Sequence, residues 1–257
     1  MRWRPWVMVG AVVLTVGVGF LVPAIPQNEA YHNFADQRTI LGIPHCFDVI
    51  SNFAFLIVGL WGLAVVFRSA EFVDPLERWP YAAFFVGVTL TSFGSSWYHL
   101  NPNDSTLLWD RIPMTIGFLG LVSALLAERV SVRTGLWLLA PLILLGVASV
   151  IYWEITQSEG RGDLRPYAIA QFGSLLIVVV LISLAPARYT RTYDLGISLG
   201  LYALAKLLEF ADRPVYSPLK IVSGHTLKHL AAALSAYWIV RMLQKRKPVA
   251  IFDRRAA

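Results

Sequence analysis

Eight apolar stretches, most of them about 20 residues long, fill the chain at residues 6–25, 49–68, 80–99, 112–127, 134–153, 166–185, 194–211 and 222–242. A helix that crosses a bilayer needs about 20 predominantly apolar residues. Backbone polar groups surrounded by lipid must be bonded within their own segment, so the succession predicts an all-α, polytopic membrane helix bundle. Charge agrees with this: 15% of the 257 residues are Asp, Glu, Lys or Arg, against roughly 25% in soluble domains. A mean hydropathy of +0.58 excludes an ordinary soluble enzyme and a disordered chain alike. The single cysteine, Cys46, excludes a disulfide framework and a Cys-rich zinc or iron-sulfur site, leaving any metal to histidines and carboxylates.

The connections are too short to hold an inserted soluble domain, so one membrane domain is expected over 29–243, preceded by 1–28 and followed by a basic tail, 244–257. The stretch 6–25 follows Arg2 and Arg4 and reads as a signal peptide or a signal anchor. Its length favours a retained extra transmembrane helix. Lys and Arg in the loops set the orientation. With the N-terminus inside, fourteen fall on the inner side, six on the outer side, and Lys206 and Lys228 within spans. Both termini are therefore expected in the cytoplasm. The net charge of +6 then reports orientation and attraction to anionic headgroups, with no nucleic-acid partner required.

Polar groups at membrane depth are expensive and usually have a partner or a function. Three clusters stand out. Ser95 and His99 close the 80–99 stretch four residues apart, on one helix face. Asp110 is expected to open the next helix after a loop of about ten residues, returning to the surface that holds His99. His225 and His229 begin the last stretch at the i, i+4 spacing by which two imidazoles can hold one zinc ion. Lys206 and Glu209, three apart, read first as an ion pair or interhelical tether, with Asp212 and Arg213 beyond them. Lys228 lies about 100° around the helix from His229 and is expected to point away from any metal. His32 and His45 read as surface residues of an outer loop.

The charge bias puts the end of 80–99 and the starts of 112–127 and 222–242 at the same outer face. Ser95, His99, Asp110, His225 and His229 thus share one depth. Three histidines with an open position form the coordination of catalytic zinc. The alternative is a set of separate interfacial histidines bonded to neighbouring helices.

The order Ser-x3-His, an Asp eleven residues after that His, and a distant His-x3-His resembles the alkaline ceramidases. It also resembles the wider superfamily of seven-helix membrane hydrolases that includes the adiponectin and progestin receptors. Ala35-Asp36-Gln37-Arg38, Gly42-Ile43-Pro44 and Asp48-Val49-Ile50-Ser51-Asn52 look like the segment leading into the first helix of ceramidase-like proteins. Asp110-Arg111-Ile112-Pro113-Met114 is similar to their Asp-Glu-x-Pro-Met stretch. The likeness covers about residues 30–243. It implies a seven-helix ceramidase-like core, with 6–25 as one extra N-terminal helix.

The resemblance further implies Zn2+ on His99, His225 and His229, with Ser95 and Asp110 beside the activated water. The implied substrate is ceramide or a related N-acyl membrane lipid, cleaved to a sphingoid base and a fatty acid. Zinc would activate a water and polarise the amide carbonyl. Asp110 is the candidate general base that returns the proton to the nitrogen, and Ser95 a donor to the oxyanion. Two positions depart from the family. The acidic calcium-binding cluster before the first helix is replaced by Asn28-Glu29-Ala30-Tyr31-His32-Asn33, with His45 near the place of a carboxylate, which speaks against Ca2+ dependence. Arg111 replaces an acidic residue, altering the expected charge at the mouth of the site.

Two other classes compete. A receptor of the adiponectin or progestin type would use the same metal site for signalling, but would be expected to carry more than the 14 residues that follow Leu243. A transporter or proton channel needs polar residues spread through the bilayer, whereas these gather near one face. Placement in a cytoplasmic (inner) membrane, with the site outward, is expected for a bacterial chain.

Overall fold

The structure is a computed structural model, and it describes residues 10, 13 and 16–249. Most of the N-terminal half of the stretch 6–25, and the 250–257 part of the basic tail, lie outside the described residues; residues 16–21 are helical. The rest is built on helices α1 (Cys46–Arg68), α2 (Arg78–Leu100), α3 (Asp104–Arg129), α4 (Val132–Ser158), α5 (Arg165–Leu184), α6 (Thr192–Phe210), α7 (Asp212–Leu219) and α8 (Gly224–Lys245). Among the described residues, extended pairing is limited to two isolated bridges, Ile40 with Ile43 and Tyr189 with Pro248. Within α5 the backbone widens to a π-turn over Ile169–Gly173, a local change often found at functional sites.

Four helices, α1, α3, α4 and α5, are long and apolar enough to cross a membrane by length and composition. Helices α2, α6 and α8 are also long, at 23, 19 and 22 residues, but carry more polar side chains. Ser95, His99, Glu209, His225 and His229 are among them. Burial distinguishes the apolar helices further. In α3, 72% of the apolar window is buried, against 22% in α4, so α3 runs through the centre while α4 faces outward. The exposed side of α4 presents Trp137, Leu144, Leu145 and Ile155. An apolar exterior of this kind is compatible with lipid.

Short links make successive helices antiparallel neighbours. Only residues 101–103 separate α2 from α3, and only 130–131 separate α3 from α4. The start of α3 corrects an expectation: the helix begins at Asp104, not near residue 112, so Asp110 lies in its second turn. The polar run that reads as loop is a cap. The Asn103 side chain accepts from the Thr106 amide at 3.0 Å, and the Thr106 hydroxyl accepts from the Asn103 amide at 3.2 Å, satisfying two donors that a helix start otherwise leaves open. Ser131 and Ser223 cap α4 and α8 in the same manner, each accepting from the amide three residues on.

Close approach of α2 to α3 brings Ser95, His99 and Asp110 into one region. Gly94 makes that approach possible, because a Cβ there would stand 1.9 Å from the Trp109 carbonyl oxygen. Small residues allow this spacing between membrane helices. Gly94→Ala is expected to force the helices apart and destabilise the protein by roughly 1–3 kcal/mol, read as a lower unfolding temperature in detergent. An unchanged midpoint would mean that α2 and α3 separate without strain. At the opposite end of the bundle, Arg246 of the segment after α8 donates to Glu128 of α3 at 2.6 Å, and Tyr81 of α2 donates to the same carboxylate at 2.6 Å. This buried network joins the ends of three helices.

Candidate metal centre

His99 stands in the last turn of α2, and His225 and His229 in the first two turns of α8. All three are buried, and one ring nitrogen from each lies within 4.8 Å of the other two, so the group could hold a metal ion. A tetrahedral zinc with Zn–N bonds of about 2.1 Å needs its ligands roughly 3.4 Å apart, a separation inside that limit.

The hydrogen bonding fits a cation. Both nitrogens of His99 and Nε2 of His229 are buried with no protein partner. Buried ring nitrogens are ordinarily satisfied, and unpartnered nitrogens on His99 and His229, beside a His225 whose Nε2 meets Lys228 Nζ at 3.0 Å, form a group that a metal could complete. Ser51 orients the third ring: its hydroxyl donates to the Asp48 carbonyl at 3.0 Å and lies 2.8 Å from His229 Nδ1. With its proton engaged, the hydroxyl accepts from Nδ1–H, which leaves the Nε2 lone pair for the metal. Such contacts fix the tautomer of a ligating histidine.

The surrounding residues hold the start of α8 in place. The Asp48 carboxylate accepts from Thr226 at 2.6 Å and from Ser223 at 3.2 Å. Asp212 accepts from the His225 amide at 2.9 Å and from the Ala35 amide at 2.8 Å, tying α8 to the segment that precedes α1. That segment lays Phe34, 3% exposed, over the cluster, with ring centroids 4.6 Å from His99 and 4.5 Å from His225. A two-bond clasp from Arg38 to Asp36, at 2.7 and 2.6 Å, closes the segment. Burial pushes the Asp36 carboxyl up, but the bonds to Arg38 outweigh it and hold the group below the usual carboxylate range.

Ser95 and Asp110 line one cavity together with His229. Ser95 partners the Asp110 carboxylate side chain to side chain. The cavity, about 300 Å³, is polar at this end, where Tyr31, Lys206, Glu209 and Lys228 also border it. Elsewhere its wall is apolar, with Phe84, Val88, Met114, Phe118, Leu121, Leu175 and Leu199 from α2, α3, α5 and α6. The five residues singled out in the sequence thus fall in one region: three as the histidine cluster and two at the polar end of the adjoining cavity.

Three other expectations change. Lys228, expected to point away, reaches His225 Nε2 at 3.0 Å and Glu209 Oε1 at 3.3 Å. Helical side chains lean toward the N-terminus, and that lean carries a long lysine back over the preceding turn. The Lys206–Glu209 pair forms as expected but is part of a larger group, since Glu209 also accepts from Tyr31 at 3.1 Å. Arg111 borders the cavity but does not stand exposed at its mouth. It is buried, 6% exposed, against Trp153 at 4.2 Å and Tyr167 at 4.8 Å. His32 and His45 lie outside the cluster, half-buried: His32 between Tyr98 and Asp104, His45 on the Asp36 carbonyl.

Sequence reasoning missed Ser51, Asp48, Asp212 and Phe34. Ser51 and Asp48 were present in the Asp48-Val49-Ile50-Ser51-Asn52 run, whose i, i+3 spacing puts both on one helix face. Asp212 stood out only as a polar neighbour of Lys206 and Glu209, and Phe34 carried no signal, because only the folded chain brings them to α8. Comparison with protein-family models and with curated proteins finds no match to the chain.

Proposed function

We propose that the protein is a zinc-dependent intramembrane amidase that hydrolyses the N-acyl bond of ceramide-like membrane lipids to an amine and a free fatty acid. One observation carries the reading: a buried cluster of three histidines, two of them with unpartnered ring nitrogens, adjoins a largely apolar cavity whose polar end holds Asp110 and Ser95. A catalytic metal keeps an open coordination position, and a three-histidine set leaves one. The bundle is read as seven crossing helices, α1 to α6 and α8, plus the N-terminal stretch, with both termini cytoplasmic and the cluster toward the outer face.

His99, His225 and His229 would hold the ion, which supplies Lewis acidity toward the amide carbonyl and toward water. The remaining steps belong to the chain. Its apolar wall binds the acyl chain and leaves the amide at the polar end. Asp110 takes the proton of the attacking water and returns it to the leaving nitrogen. Ser95, beside Asp110, can turn its hydroxyl to donate to the oxyanion. Lys228, held by Glu209, borders the same end of the cavity.

Purified protein is expected to contain about one zinc per chain, and to release fatty acid from at least one member of a panel of ceramides, phytoceramides and other N-acyl lipids, followed by mass spectrometry. Full activity in a metal-free preparation would sink the scheme. Bound zinc with no release from any lipid would favour the receptor reading.

A further inference from the structure

Arg111 is a buried cation that no carboxylate pairs directly among the described residues. Its guanidinium lies face-on to Trp153 and Tyr167, with Tyr31 at 5.8 Å. Nη2 donates to Gln27 Oε1 at 2.6 Å. Nη1 is buried with no hydrogen-bond partner, and among the described residues Arg111 forms no ion pair. Aromatic faces hold the plane of a guanidinium while leaving its edge for an in-plane acceptor. A buried cation without a counter-charge is unfavourable, so a resident with this geometry is prepared for an anion.

The cavity repeats that imbalance. Three cations line it, Arg111, Lys206 and Lys228, against two carboxylates, Asp110 and Glu209. Both lysines are paired to Glu209, while Asp110 acts on Arg111 without an ion pair between them, so this end of the cavity keeps one positive charge in excess. Consecutive positions on α3 present Asp110 and Arg111 to the same cavity. That suits a lipid whose carboxylate stands close to its amide nitrogen.

We propose that Arg111 binds a carboxylate on the headgroup side of the lipid, so that the preferred ligand is an acidic lipid of the N-acyl amino acid class rather than a neutral ceramide. The choice of substrate class rests on the amidase reading; binding at Arg111 does not. Planar guanidinium and carboxylate groups meet through paired, charge-assisted hydrogen bonds, which a neutral hydroxyl headgroup cannot match.

The test is equilibrium binding to the purified protein in detergent. Its probes are the hydrolysis-resistant ketomethylene isosteres of N-palmitoylglycine and N-palmitoylethanolamine, with palmitate as a third ligand. The acidic isostere is expected to bind about 10- to 100-fold tighter than the neutral one. Arg111→Lys should reduce that preference and Arg111→Gln abolish it. Equal binding of the two isosteres by the unaltered protein would overturn the proposal, and that comparison holds even if Arg111→Gln does not fold. So would a preference that survives in Arg111→Gln, since the anion would then sit elsewhere, and so would tight binding of palmitate alone, which would place the acid product's carboxylate at Arg111. Binding needs no turnover: acid-selective binding without hydrolysis of any lipid would uphold Arg111 and remove the amidase reading.

Discussion

Asp110→Asn is expected to lower lipid hydrolysis by about 10²- to 10⁴-fold, the usual contribution of a positioned general base, while the zinc content stays at that of the unaltered protein. The substitution preserves shape and a hydrogen-bond acceptor, so Ser95 keeps its partner, but an amide cannot take up the proton of the attacking water. The expected signature is a fall in kcat with little change in KM, because substrate contacts with the apolar wall are untouched. Metal analysis and steady-state kinetics on the same preparation check it. Loss of zinc together with activity would make Asp110 a ligand and remove its role as base. Retained activity would assign proton transfer to another group at the polar end, of which Glu209 is the carboxylate that also borders the cavity.

His99→Ala is expected to abolish metal binding and activity together. His99 is the only member of the cluster supplied by α2; without it the two α8 histidines remain as a bidentate pair. Ser51→Ala gives the graded counterpart. Removing the acceptor at His229 Nδ1 leaves three ligands but frees one ring, and loss of such a contact typically weakens metal affinity about 10- to 100-fold. Competition against a chelator of known affinity measures both. Unchanged zinc affinity in Ser51→Ala would show that packing alone orients His229. Unchanged zinc content in His99→Ala would show that the ion, if bound, sits elsewhere.

The helices were legible for a reason that does not depend on the partner helices. In lipid the backbone must satisfy itself within each segment, so apolar length alone marks α1, α3, α4 and α5. The ends were less legible, because capping resembles loop composition. Asn103, Asp104 and Thr106 read as a polar connection until the side chain of Asn103 is seen closing the first turn of α3. Lys228 was misplaced by an argument from backbone angle alone, which ignores the reach of four methylenes toward His225.

The histidines were legible because polar groups are sparse in the apolar stretches of a chain with 15% charged residues. Spacing set His225 beside His229, and loop charge suggested that His99 and Asp110 share their end of the bundle. Sequence therefore determined the helical class and which side chains are too polar to be left in lipid. Only the tertiary structure decided how they meet. The passage of α2 across α3 at Gly94, the lay of Phe34 over the cluster, the Ser51 contact that sets the His229 tautomer and the aromatic box around Arg111 all join residues far apart in the chain. Periodicity and composition act over one or two turns, whereas these contacts depend on which helix faces meet, a choice made by packing across the whole bundle.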